Sequence, residues 1–430
     1  MRSGKISLSA LLGLLAALGA APAHSGEAAD YPDLPPLQAV TRAMAAYPQV
    51  QAARARVRME QANERKLQAG SYEYSARLSE QQRTVRTDPQ QHLNEWSIEL
   101  DRPLRLPGKA VLDGRIGAQG VSQAELAYGD AMHEAGRTLL KLWFDWGRAD
   151  SQARQWETQV ATLKQQSAIV DKRVKAGDAP RLEALMAQAA VAQAEASLQQ
   201  ANLQRQMAAN DLTQRFPAIP LPARPTLSVP APLQHDLPYW RDAILKDNHE
   251  LRLAQGRVRH WQLVASRTQA DRMPDPTVGL HYSSERGGEE RVLGVSVSIP
   301  LPGAARAAGA DSARAQAEEA VATEAALVSR LNADIANLYA SADAAYGTWL
   351  KAREVASGMA QNAELMGRAY ALGEANLTDL LTARRQANDA ELAATLARLN
   401  AAEGHYRLQL DAHRLWPLDT DEGEAPHPGE

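Results

Sequence analysis

Residues able to do acid–base or metal chemistry are plentiful in this chain of 430 residues, with ten His and 51 Asp and Glu, but their spacing builds no site. His133-Glu134 starts the pattern of a metalloprotease helix, yet Arg137 stands where the second His would have to be. There is no GxSxG elbow and no Walker-type phosphate loop, and Gly-containing stretches such as Gly373 to Leu377 read as turns. The nine Met and ten His form no pair at helical spacing flanked by further ligands. Cysteine is absent, which removes thiol catalysis, zinc fingers, disulfides and an amino-terminal lipidated cysteine. The residues therefore point away from an enzyme: no catalytic residue, no cofactor and no metal site is expected. A formal net charge of -4 also argues against a nucleic-acid partner, which would call for a basic face.

What remains is a question of architecture. Arg2 and Lys5, the apolar stretch Leu8 to Ala20 and Ala21-Pro22-Ala23 read as a secretory signal over residues 1–23. No later segment offers the run of about 18 apolar residues that a membrane-spanning helix needs. An internal repeat follows. "ARVR" at Ala55 returns as "GRVR" at Gly256, and "KRVKAGDAPRLEALMAQ" at Lys172 aligns with "RAYALGEANLTDLLTAR" at Arg368, pairing Gly177 with Gly373 and Leu185 with Leu381. The repeats are expected at 24–216 and 239–415. Between them, 217–238 holds seven prolines and should run extended. The acidic tail, 416–430, has too few apolar residues to fold.

Each repeat has the same order of parts: a moderate helix (Leu37 to Ala69; Tyr239 to Arg272), a β-hairpin (about 72–103; about 276–300), then long helices (about 107–215; about 303–413). Tyr72, Tyr74, Ala76 and Leu78 alternate with polar residues, as do Trp96, Ile98 and Leu100, then Val278, Leu280 and Tyr282, then Leu293, Val295 and Val297. After each hairpin about 70 residues pass without an interior proline, enough for a helix of about 100 Å that must pack against others. In the returning helices the seam is expected along Leu182, Leu185, Ala189, Ala192, Ala196 and Leu203, and along Leu392, Leu396, Leu399 and Tyr406. By periodicity alone this is a coiled-coil rod.

The hairpins point elsewhere. Strands of about nine residues with one apolar face match the length of tilted membrane strands. Four strands are too few to close a barrel, so several chains would have to share one, and hairpins keep the count even. Polar partners would then line a wet lumen. Tyr72, Tyr74, Trp96, Ile98, Leu280, Tyr282, Val295 and Val297 would face lipid, the aromatic ones at its interfaces. The expected fold is mainly α with a small membrane β-barrel.

In its duplicated helix, hairpin, long helix, turn and helix, and in the turn "YALGEANLTDLLTARR" at Tyr370 to Arg385, the chain resembles the TolC family of outer-membrane efflux ducts, from about Leu37 to Leu415. The junction "RPLRLPGKA" and the segment "PDPTVGLHYSSERGGEERVLGVSVSIPLP" resemble its heavy-metal cation branch, the CzcC-like members. The resemblance implies a homotrimer with a twelve-stranded barrel in outer-membrane lipid and an α-helical periplasmic tunnel. It implies, as partners, a periplasmic adaptor (membrane fusion protein) and an inner-membrane pump of the resistance-nodulation-division (RND) type. It also implies that the turn narrows the periplasmic entrance. Tyr370, Gly373 and Asp379 match that pattern, whereas Ala375 replaces an expected Arg and Thr382 an expected Asp. Asp379 would form a cation-favouring ring, or serve as a helix-start acid. Gly177, Leu182, Glu183, Leu377 and Leu380 would form the adaptor-docking tip, with the leucines exposed. The same features leave open a duct for drugs or type I secreted polypeptides or, in another class, a periplasmic coiled-coil adaptor or scaffold.

Overall fold

The computed structural model describes residues 31–416, and the expected signal at 1–23 and the tail beyond Trp416 lie outside them. The described residues are mainly helical, with one four-stranded sheet. Its elements are α1 (Leu37–Ala46), α2 (Pro48–Ala69), β1 (Ser75–Val85), β2 (Gln91–Pro103), α3 (Pro107–Ala176), α4 (Arg181–Arg215), α5 (Leu237–Lys246), α6 (His249–Ala270), β3 (Thr277–Glu285), β4 (Glu290–Ser298), α7 (Ala304–Leu372) and α8 (Leu377–Asp411). None of the described helices is long and apolar enough to cross a membrane.

The moderate helix expected at the start of each repeat is in fact two. Pro48 cannot donate to the preceding turn and starts α2 afresh, leaving Tyr47 extended. In the second repeat the Asn248 side chain accepts from the Leu251 N–H at 2.8 Å, capping α6 and ending the run of α5. Pro107 occupies the first turn of α3, and the prolines around Leu301 hold the chain extended until Gly303 caps α7.

α3 and α7, of 70 and 69 residues, are each about 100 Å long. In the half towards the turns α4 packs on α3, α3 on α8 and α8 on α7; in the half towards the sheet α2 and α6 take the places of α4 and α8. The seam of α4 lies on a stripe beside the one where the 3-4 pattern put it. Ala184, Ala187, Ala194 and Ala201 are the buried residues against α3, whereas Leu182, Leu185, Ala189, Ala192, Ala196 and Leu203 face outward. Both stripes keep helical spacing. The small residues go inward because Val160, Leu163 and Val170 of α3 already fill the space. In α8 the expected positions do turn inward: Leu399 and Tyr406 are buried, Leu392 and Leu396 half-buried.

The Pro-rich stretch is extended but not loose. Asp33 takes the Ser228 N–H and hydroxyl on one carboxylate oxygen and the Tyr406 hydroxyl on the other, at 2.5–3.1 Å. Arg398 donates to the carbonyls of Leu227 and Ser228, and Arg154 to that of Ala223. These bonds strap the connection between repeats across α3 and α8.

Because Ala194 sits in a close helix–helix contact, Ala194→Phe should lower stability by about 1–3 kcal/mol through overpacking. Thermal unfolding followed by circular dichroism checks this, with the outward Ala192→Phe leaving the unfolding of the isolated chain nearly unchanged.

Candidate functional site

Two regions carry the chain's distinctive geometry: the sheet with its junction to the helices, and the turn end of the bundle. The sheet runs in the order β1-β2-β3-β4, antiparallel throughout, so consecutive hairpins pair through β2 and β3. Register sorts its side chains cleanly. Leu78, Ile98, Tyr282 and Leu293 form one cross-strand row; Ala76, Leu100, Leu280 and Val295 form the next; Val278 and Val297 continue it. All point to one face. Most stand in the open, with Val295 77% and Leu78 75% exposed. Trp96 and Tyr282 meet at 5.5 Å on the turn side of this face. The opposite face is polar and internally paired: Arg77 to Glu99 at 3.0 Å, Arg83 to Glu95 at 3.1 Å, Ser97 to Ser79 at 3.4 Å.

Of the residues expected to face lipid, Trp96, Ile98, Leu280, Tyr282, Val295 and Val297 share the apolar face. Tyr72 and Tyr74 do not belong to a strand, since β1 starts at Ser75 and runs on to Val85. Its far end carries Glu80 and Gln82 on the side of Leu78, so the apolar pattern stops while the ladder continues. Tyr74 is exposed beneath Arg102, and Tyr72 is turned into the junction.

That junction is an ionic cluster which the sequence pattern did not single out, although "RPLRLPGKA" and "PDPT" hold half of its charged members. Lys109, only 2% exposed, reaches Asp271 at 3.1 Å and Asp275 at 3.0 Å. Asp113 joins Arg105 at 3.1 Å and Arg267 at 2.5 Å. Arg105 also donates to the carbonyls of Leu67 and Gln68, and Asp275 takes the Leu106 N–H at 3.1 Å and the Tyr72 hydroxyl at 2.9 Å. Burial and the hydrogen bond to Asp275 push the Tyr72 hydroxyl up to about 12. Burial alone would raise Asp275, but Lys109, the Leu106 N–H and Tyr72 hold it below the usual carboxylate range.

At the other end the two turns are built alike. Gly177 and Gly373 adopt left-handed φ of 84° and 80°, and each donates back to the helix it ends, to Val174 and Tyr370 respectively. The following Asp178 and Glu374 bond to Arg173 and Ala369, completing a Schellman stop that a side chain at either glycine would strain. Leu377 and Leu380, expected to be exposed, are each 1% exposed: with Val170, Ala184, Ala187 and Tyr370 they form the core that joins four helices at the tip. They are drawn inward because the left-handed glycine aims the first turn of α8 back at α7. Tyr370 donates to Glu183 at 2.9 Å and lies under the Arg173 guanidinium, so both residues are engaged within the chain. Burial and Glu183 raise the Tyr370 hydroxyl. Leu182 remains exposed on α4 and Thr382 on α8. Asp379 is exposed and closes the start of α8: its N–H donates to the Asn376 side chain at 2.9 Å, and the Asn376 amide donates back to its carboxylate at 2.8 Å.

Between α6 and α7 an open groove of about 1270 Å³ carries more carboxylates, Asp130, Glu250 and Asp334 among them, than guanidinium groups. At its margin His133 is buried. Its Nε2–H donates to the Leu410 carbonyl at 3.2 Å, which fixes the tautomer. Burial, with Arg137 next, holds its pKa down at about 3, and Asp411 at 3.7 Å does not offset this. No group of three or more described His, Asp or Glu is placed to hold a metal ion.

Residues 240–410 match the family described as Outer membrane efflux protein. No curated protein matches the chain. Among solved structures, the CmeC outer membrane channel of Campylobacter jejuni aligns with a TM-score of 0.74 at 14% identity, over 89% of this chain and 86% of that one. A membrane protein of Pseudomonas aeruginosa gives 0.77 at 18% identity, over 89% and 91%. The outer membrane protein VceC of Vibrio cholerae gives 0.70 at 17% identity, over 88% and 95%. The chain therefore shares the fold of these proteins, and the matched family segment spans α5 to α8 with β3 and β4 between them.

His133 yields a pH prediction. A histidine depressed in the fold stabilises it fully above the unfolded value of about 6.5, and that stability drains away as pH falls towards 3, at up to about 1.4 kcal/mol per pH unit. The unfolding midpoint should drop between pH 6.5 and 4, and His133→Gln, which keeps a donor for Leu410, should flatten that drop.

Proposed function

We propose that this protein is the outer-membrane exit duct of a tripartite efflux system, a passive channel whose energy comes from a partner in the inner membrane. One observation carries the reading: a four-stranded sheet with one mostly apolar, exposed face and a polar, ion-paired opposite face, mounted on helices of about 100 Å. Such a sheet suits lipid on one side and a wet lumen on the other. The efflux-family match over α5 to α8 supports the same conclusion.

In this reading three copies assemble. β4 of one copy pairs with β1 of the next, giving a twelve-stranded barrel in the outer membrane. The helices extend into the periplasm as a tunnel. The outward stripe of α4 beyond its first turn (Leu185, Ala189, Ala192, Ala196, Leu203) and the exposed Val355, Leu365 and Leu372 of α7 are exposed apolar edges of the bundle, suited to meet between copies. The leader is removed on export. The tip around Gly177, Leu182 and Glu183 receives a periplasmic adaptor, which links the duct to an RND-type pump. Asp379, one per copy, and Thr382 narrow the entrance, with Tyr370 bracing the turn from within. Heavy-metal cations are the proposed cargo: the branch resemblance of the junction segments supports them, and the carboxylate-rich groove suits cations.

The test is extraction of the native protein from purified outer membranes, followed by its mass in mild detergent. The expected result is a detergent-requiring particle of three times the mature chain mass, heat-modifiable on gels; a water-soluble monomer or dimer would refute the duct.

A further inference from the structure

The apolar face of the sheet carries two guanidinium groups, at its opposite ends. Arg291 stands next to Leu293 on β4, on the turn side, and Arg102 stands next to Leu100 on β2, on the helix side. Arg102 interrupts an otherwise apolar column, with Ile98 and Leu100 before it, Leu104 after it and Val278 beside it on β3. Leu104 and Ile299, both exposed, carry apolar surface past its level. Among the described residues it has no carboxylate partner, whereas the cations just beyond it, Arg105, Lys109 and Arg267, are all paired. What holds it instead is aromatic and neutral. Its guanidinium carbon lies 4.6 Å from the centre of the Tyr74 ring, Nη1 donates to the Tyr74 hydroxyl at 2.9 Å, and Nε donates to the Tyr72 carbonyl at 3.3 Å. Tyr72 is itself anchored through Asp275 in the junction cluster, so the Arg102 fork is held in place before any ligand arrives.

Such an arrangement recognises an anion. An unpaired charge among exposed apolar side chains, on a face turned towards lipid, is costly unless a counter-charge is supplied from outside. The Nη2 edge of the fork stays open for a tetrahedral oxyanion. Tyr74 accepts from Arg102 and keeps its own hydroxyl hydrogen to donate to the same anion. The bilayer offers one such group at this depth. We propose that Arg102 and Tyr74 form a docking site for the phosphate of a phospholipid in the leaflet next to the helices, its acyl chains lying along Leu100, Val278 and Val297. This inference rests on the barrel reading above. It assigns to the helix end of the sheet a specific lipid contact that fixes the height of the barrel in the membrane.

Native mass spectrometry of the full-length protein in mild detergent tests it, with phosphatidylglycerol, phosphatidylethanolamine and phosphate-free diacylglycerol of matched chains as probes. Both phospholipids should be retained over diacylglycerol, and Arg102→Gln should cut their occupancy about tenfold, as expected for losing a charge-assisted fork. Arg291→Gln, at the other end of the face, should leave occupancy unchanged. If Arg102→Gln does not assemble, Tyr74→Phe keeps the ring and should still cut retention about twofold. Equal retention of diacylglycerol, or occupancy indifferent to both Arg102→Gln and Tyr74→Phe, overturns the site. A chain that leaves membranes without detergent overturns the barrel reading and this one together, whereas a detergent-requiring chain indifferent to these variants overturns the site alone.

Discussion

A strand edge placed in hydrocarbon must find a partner for each N–H and C=O it exposes, because no water is there to take them. Among the described residues the sheet ends at β1 on one side and β4 on the other, with no strand beyond either edge, while the face between them is mostly apolar. Lipid suits the face and forbids the edges. The proposed duct follows from reconciling the two: copies of the chain complete one another's ladders, the sheet becomes a closed wall, and its ion-paired face becomes a lumen. Closure would also bring the helices of neighbouring copies together, where the outward apolar residues of α4 and α7 can meet.

The junction cluster is what lets such a sheet direct such helices. β2 leads into α3, the chain enters β3 directly from the end of α6, and Arg105 holds the end of α2, so three passages between sheet and helices meet around Lys109, Asp113, Asp271 and Asp275. A buried ion-pair cluster is weak as a source of net stability but sharp in geometry, because removing one member strands the others. Here it sets the angle between strands and helices and, through Tyr72, the position of Arg102. The strap from Asp33 to Ser228 and Tyr406 plays the same part between the repeats, turning a proline-rich connection into a girdle around α3 and α8.

Much of the fold was legible in the sequence because periodicity is a local property. The strict alternation of Leu293 to Ile299 and the proline-free runs after Pro107 and Gly303 report directly on strand and helix. What was not legible depends on neighbours. Leu377 and Leu380 share the helical spacing of exposed and buried stripes alike, and only the left-handed turn at Gly373 decides that they point into the tip. On α4, two neighbouring stripes both satisfy a 3-4 pattern, and the bulk of α3 chooses the smaller one. Nothing local marks Lys109 as buried, because the two aspartates that enclose it lie more than 150 residues away in the chain. The Pro48 and Asn248 breaks were missed because amphipathic periodicity continues across them.

In the proposed duct the β1 and β4 edges of separate copies pair with each other. The chain holds no cysteine, so one can be placed on β1 and one on β4 without a background, for example Leu78→Cys combined with Leu293→Cys or Val295→Cys in turn. Within one copy β1 and β4 are separated by β2 and β3, about 14 Å at the spacing of paired strands, too far for a disulfide to span. Oxidation in the membrane should therefore yield a covalent ring of three copies on a denaturing gel. Chains that remain single under oxidation at every paired position would contradict the shared barrel.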